Sequence, residues 1–138
     1  MAGPLVILRP RGQVFPLMAL FLSALLILVM AALSYGVLTV RLMDALGAAD
    51  LAAHAGAMQI HVLPDGRYES RRAERVAREV FTRHHLPYAH LQGVTCGVDA
   101  RERPWCEVVV EVEGALWAPN RTIHARSVLA AGVTREDQ

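Results

Sequence analysis

The chain has 138 residues, a formal net charge of +1 and a hydrophobic share of 54%. With one long apolar segment set aside, about 98 residues remain, enough for one small domain with a modest core. All fourteen basic residues are Arg, and most are interleaved with the thirteen acids, which argues against a nucleic-acid-binding patch.

Residues 1–13 contain Gly3, Pro4, Pro10 and Gly12 without a helical stripe and read as a short irregular cytoplasmic tail or leader. The next run carries no charge between Arg11 and Arg41. Within it, residues 14–40 would form a helix of about 40 Å, against a hydrocarbon core of about 30 Å. Leu, Ile, Val and Phe fill fifteen of these positions. Each favours insertion by about 0.3–0.6 kcal/mol at mid-bilayer, which outweighs Ser23, Ser34 and Thr39. A transmembrane span is the expectation, because the apolar core of a cleaved secretory signal is only about 7–15 residues long. Pro16 falls in the first turn, where a missing N–H costs little. Arg9 and Arg11 precede the span and every acid follows it. The positive-inside bias then puts the N-terminus in the cytoplasm and residues 41–138 outside.

Residues 41–59 lack Pro and are rich in Ala, Leu and Met, so the helix is expected to leave the bilayer unbroken, as one rod over residues 14–59. Along the extension Leu42, Ala45, Ala49, Ala52 and Gly56 recur at three- and four-residue steps. Small residues let a neighbour approach closely, and that neighbour is either the chain's own domain or a helix of another subunit. Pro64-Asp65-Gly66 reads as a turn. A surface helix is expected over residues 69–84, with Ala73, Val76, Ala77, Val80 and Phe81 inward and an Arg-rich face in solvent, ending before Pro87.

Residues 91–98 and 105–113 read as a hairpin. Cys106, Val108, Val110 and Val112 alternate with Glu107, Glu111 and Glu113, giving one dry and one wet side. A register that pairs Val94 with Val108 and Val98 with Pro104 sets Cys96 opposite Cys106. Both cysteines fall on the side expected to be oxidising, so a cross-strand disulfide is the reading. A third strand over residues 122–130 places Ile123, Ala125, Ser127 and Leu129 on one face. The fold class is α+β: a tail over 1–13, a long helix over 14–59 with its span at 14–40, and a small extracytoplasmic domain over 60–138. That domain would hold a surface helix and an antiparallel sheet of three to four strands.

No catalytic frame occurs: there is no GxSxG elbow, no glycine-rich phosphate loop and no framed acid pair, so neither a catalytic residue nor a cofactor is expected. His84 and His85 are adjacent and point apart, and no HExxH or CxxC accompanies the six histidines, so no metal site is expected either. Asn120-Arg121-Thr122 is a sequon of the kind that recurs by chance.

Two separated stretches agree in order and spacing with a known family. Arg11-Gly12-Gln13 runs straight into the apolar helix, and Ala48-Ala49-Asp50-Leu51-Ala52-Ala53-His54-Ala55-Gly56-Ala57 follows about 35 residues later. The pattern resembles the TadE/TadG-like pilin-related proteins of tight-adherence (Flp-type) pilus systems. The resemblance implies a single-pass subunit of the bacterial inner membrane that can join or prime a secreted pilus at the cell surface. Its partners would be the lipid bilayer, other pilin-like subunits and the pilus assembly machinery, with Ala45, Ala49, Ala52 and Gly56 as helix-packing positions. It also implies prepilin-peptidase cleavage after Gly12, leaving Gln13 first. Many pilins carry Glu five residues after the cut, and this chain has Leu17 there, which favours a minor or assembly role over that of a major filament subunit. The alternative reading is a membrane-anchored extracytoplasmic binding module for a small ligand or an envelope polymer.

Overall fold

The structure, a computed structural model, describes residues 14–62 and 66–129. Gly12 and Gln13 of the expected cleavage site, and Pro64 and Asp65 of the expected turn, lie outside the described residues. Helix α1 runs unbroken over Val14–Ala57, 44 residues, and is long and apolar enough to cross a membrane. It stops two residues short of the expected end because the chain tightens there. Gln59 N–H donates to the Gly56 carbonyl (2.9 Å), and Ile60 folds back into the core.

Helix α2 covers Arg71–Arg83. Ala73, Ala77 and Phe81, one turn apart, form its buried line, while the arginines stay in solvent. Its end is set ahead of Pro87: His85 takes a left-handed φ of 48°, and its N–H closes the last turn on the Thr82 carbonyl at 3.2 Å.

Three strands, β1 (Ala89–Val98), β2 (Pro104–Val112) and β3 (Arg121–Val128), form one antiparallel sheet in the order β1-β2-β3. The hairpin register pairs Val94 with Val108, Cys96 with Cys106 and Val98 with Pro104, and the two cysteines form a disulfide. β1 starts two residues before the expected position, at Ala89. Gln92 is an extra residue between the Leu91–Val110 and Gly93–Val109 pairs, and this bulge shifts the inward series from Ala89 and Leu91 to Val94, Cys96 and Val98. A strict two-residue alternation read from the sequence therefore cannot extend past it.

Cys106, Val108, Val110 and Val112 have no exposed surface. Over this face α1 lies along β2 and β3, α2 lies beside α1 toward β1, and the core is the layer between helices and sheet.

The β1–β2 loop is organised by one carboxylate. Asp99 accepts hydrogen bonds from the N–H groups of Arg101 (2.8 Å) and Arg103 (2.9 Å), and from the Arg103 Nε at 2.9 Å. The backbone and side-chain hydrogen bonds from Arg103 hold its pKa down at about 2. Since the folded value lies below the unfolded one of about 3.9, the ionised carboxylate stabilises the fold above about pH 4, and that stabilisation is lost as pH falls toward 2. Asp99→Asn should therefore lower the melting temperature relative to wild type at neutral pH, with the gap closing between about pH 4 and pH 2 in thermal melts at stepped pH.

Candidate functional site

The helix-packing stripe expected from the sequence is buried by the chain itself. Ala45, Ala49 and Ala52 have no exposed surface, and Gly56 is buried with them. A Cβ on Gly56 would lie 2.8 Å from Cys106 Sγ, 3.0 Å from Ala77 Cβ and 3.2 Å from the Ala73 carbonyl oxygen. The smallness of these residues thus serves the approach of α1 to the disulfide and to α2, and the stripe offers no surface to a second subunit's helix. Of the two neighbours left open by the sequence, the chain's own domain is the one in place.

The opposite face of α1 is open. Gly36, Val40, Met43, Gly47 and Leu51 fall within an arc of about 80° at 100° per residue, which also holds the exposed His54, and Met58 follows just past the helix end. Met43 is 69% exposed, Leu51 58% and Met58 56%, and a Cβ placed on Gly36 or Gly47 would meet nothing within 4 Å. Beyond Arg41 these residues are no longer part of an all-round apolar segment, because the other side of the helix is already packed. Large apolar side chains left exposed in a row mark an interaction surface. Periodicity alone does not reveal this face: the residues stand in a helix whose other faces are also apolar, and only the position of the sheet singles them out.

Arg41 and Asp44, the first charged residues after the apolar run, join the helix to the sheet. Arg41 Nη1 donates to the carbonyl oxygens of Glu113 (3.2 Å) and Gly114 (3.1 Å), and its guanidinium lies 5.2 Å from the centroid of the Tyr88 ring. Tyr88 donates its hydroxyl to Asp44 Oδ2 at 3.0 Å. Partial burial, followed by the bond to the Asp44 carboxylate, pushes the Tyr88 pKa up and keeps the phenol in its donating form.

The histidines are dispersed over the surface. His90 Nε2 lies 2.7 Å from Glu113 Oε1, His124 Nδ1 lies 3.1 Å from Glu107 Oε1, and His54 Nδ1 lies 3.3 Å from Ser127 Oγ. Among the described residues no three His, Cys, Asp or Glu side chains converge on a common point. The outer face of the sheet carries a cross-strand stack, with the Trp105 ring against Gly97 and the Arg126 guanidinium 4.5 Å from the ring centroid. An open groove between the end of α2 and β1 is lined by Phe81, Thr82, His85, Leu86, His90 and Leu91, among others. Asn120 of the sequon is engaged within the fold, its Oδ1 accepting from the Gly114 N–H at 3.0 Å and its Nδ2 donating to Glu111 at 3.2 Å.

Comparison with protein-family models, curated proteins and solved structures finds no match to this chain. The geometry therefore carries the functional argument together with the residues that resemble the pilin-related motifs.

The two sides of α1 predict opposite responses to added bulk. Gly56→Leu should destabilise the domain by about 1–3 kcal/mol through overpacking against the disulfide and α2. Gly47→Ala, in open space on a helix, should stabilise it by roughly 0.5–1 kcal/mol. Denaturant unfolding of the detergent-solubilised variants measures both. Equal responses at the two glycines would contradict the assignment of buried and open faces.

Proposed function

We propose that this chain is a pilin-like minor subunit or assembly component of a tight-adherence type pilus or secretion system, held in the bacterial inner membrane by α1. The observation that carries the reading is the continuity of α1 together with its outer face. One 44-residue helix leaves the apolar region without a break, and a row of exposed apolar residues continues along it past Arg41. A simple anchor needs a span and then a linker. A subunit that packs helix against helix needs a rigid rod presenting an apolar face on both sides of the membrane boundary. The Arg11-Gly12-Gln13 start and the Ala-rich stretch 48–57 support the same assignment through their resemblance to TadE/TadG-like proteins. Arg9 and Arg11 before the span, with all the acids after it, favour a cytoplasmic N-terminus and an outer domain.

In this reading the helix contact forms on the face of Gly36, Met43, Gly47 and Leu51, and the Ala45–Ala49–Ala52–Gly56 stripe holds the subunit's own head in place. The binding-module reading has the groove at Phe81, His85 and His90 in its favour, since a small ligand would find apolar walls and imidazole nitrogens there.

Leu51→Glu places a charge on the exposed face, so it should leave the melting temperature of the domain nearly unchanged, within about 0.5 kcal/mol in stability. Co-purification of pilin-like partners and the number of surface pili in the producing bacterium should both fall sharply. Full piliation by a Leu51→Glu/Gly47→Leu double variant that folds normally would shift the assignment to the binding module.

A further inference from the structure

Two residues of α1 are buried where the rest of that stretch is exposed. Ser34 retains 1% of its surface and Leu38 4%, while Leu33 (57%), Tyr35 (60%) and Val40 (60%) around them stay open. Ser34, Leu38 and Arg41 continue the inner stripe of Ala45 toward the N-terminus at steps of four, three and four residues. Arg41 is held by the carbonyls of Glu113 and Gly114. The chain continues from Gly114, at the level of Arg41, into residues 115–119, of which Ala115 and Ala118 are buried.

This loop is braced. Ala118 N–H donates to the Ala115 carbonyl at 2.9 Å, Asn120 Oδ1 accepts from Gly114 N–H, and a Cβ on Gly114 would overlap the Ala118 carbonyl. At its tip Leu116 and Trp117 are 70% and 67% exposed, and Leu116 holds a left-handed φ of 55°. A branched apolar residue in that region is strained, and here the strained backbone presents two large apolar side chains outward.

We propose that residues 114–120 cover Ser34 and Leu38 and form a second membrane contact, with Leu116 and Trp117 seated at the boundary between headgroups and acyl chains in the leaflet on the domain's side. The proposal rests on the reading of α1 as a membrane span. Counted from Val14, about 20 residues cross a 30 Å hydrocarbon core and end near Leu33. Ser34 to Val40 then lie in the headgroup layer, and a loop covering Ser34 and Leu38 lies in that layer with them. Trp is favoured at this depth because its ring is apolar and its N–H finds a polar partner. The surplus length of the apolar run then has a place: its last two turns run through the headgroup layer, with this loop against one side of them.

The two tryptophans supply probe and control. Trp105 adjoins Cys106, which packs on Gly56, and Gly56 lies fifteen residues or about 22 Å along α1 beyond Arg41. Full-length Trp105→Phe protein, with Trp117 as its one indole, is reconstituted into vesicles of brominated phosphatidylcholine. Its emission is expected to lose most of its intensity relative to unbrominated vesicles, while Trp117→Phe protein, reporting Trp105, is expected to change little. The difference between wild-type and Trp117→Phe spectra gives the same readout with Trp105 in place. Extraction of the wild-type chain by alkaline carbonate would overturn the spanning reading and this one together. A chain that resists extraction but whose Trp117 is unquenched by brominated lipid would overturn this proposal alone, and blue-shifted emission without quenching would point instead to a protein covering the loop.

Discussion

The whole fold depends on how closely α1 approaches the sheet. Ala45, Ala49, Ala52 and Gly56 contribute almost no side-chain volume, so the helix backbone descends onto the face formed by Cys106, Val108, Val110 and Val112, which supplies the branched bulk. The arrangement is complementary in shape, small against large, and it leaves little freedom in depth or register. Gly56 is a point of close approach, seated over the disulfide with Ala73 and Ala77 of α2 at its flank. A domain of this size has few buried large side chains. Its stability rests on that close packing and on the Cys96–Cys106 crosslink, whose loop of about ten residues contributes on the order of 2–3 kcal/mol.

The same helix passes without a break from an exposed apolar half to a half packed on the sheet, the first buried positions being Ser34 and Leu38. Upstream of Arg41 it is apolar on nearly every side. Downstream, one side is closed by the sheet and α2, and the other is left partly apolar. At the change, Arg41, Asp44 and Tyr88 tie the rod to the start of β1 and to the end of β2. The α+β domain is thus fixed in orientation relative to the apolar half of the helix. For a subunit that assembles by helix packing, this rigidity means that positioning the helix also positions the head.

The division of labour between the faces of α1 follows from geometry more than from residue type. Gly47 and Gly56 are nine residues apart and chemically identical, yet one meets open space and the other a sulfur atom. What separates them is the angular position of each relative to the sheet.

The sequence by itself determined the elements with strong periodic or compositional signals. The uncharged run reflects a rule about length and composition, the line of Ala73, Ala77 and Phe81 and the Val/Glu alternation of β2 reflect rules about which side of an element faces the core, and the Val94–Val108 register was the pairing that sets Cys96 opposite Cys106. Local signals were weaker where a tertiary event interrupts the period: at the Gln92 bulge, at the left-handed His85 and at the Ala57–Ile60 tightening. Only the tertiary structure decided the role of the small-residue stripe, because a row of Ala and Gly states that something approaches closely and not what approaches. It also decided which face of α1 stays open, and that Arg41 meets the carbonyls of Glu113 and Gly114 at the start of the loop that carries Leu116 and Trp117. Arg41 and Gly114 are 73 positions apart in the chain, and their proximity is a product of the fold that no local pattern encodes.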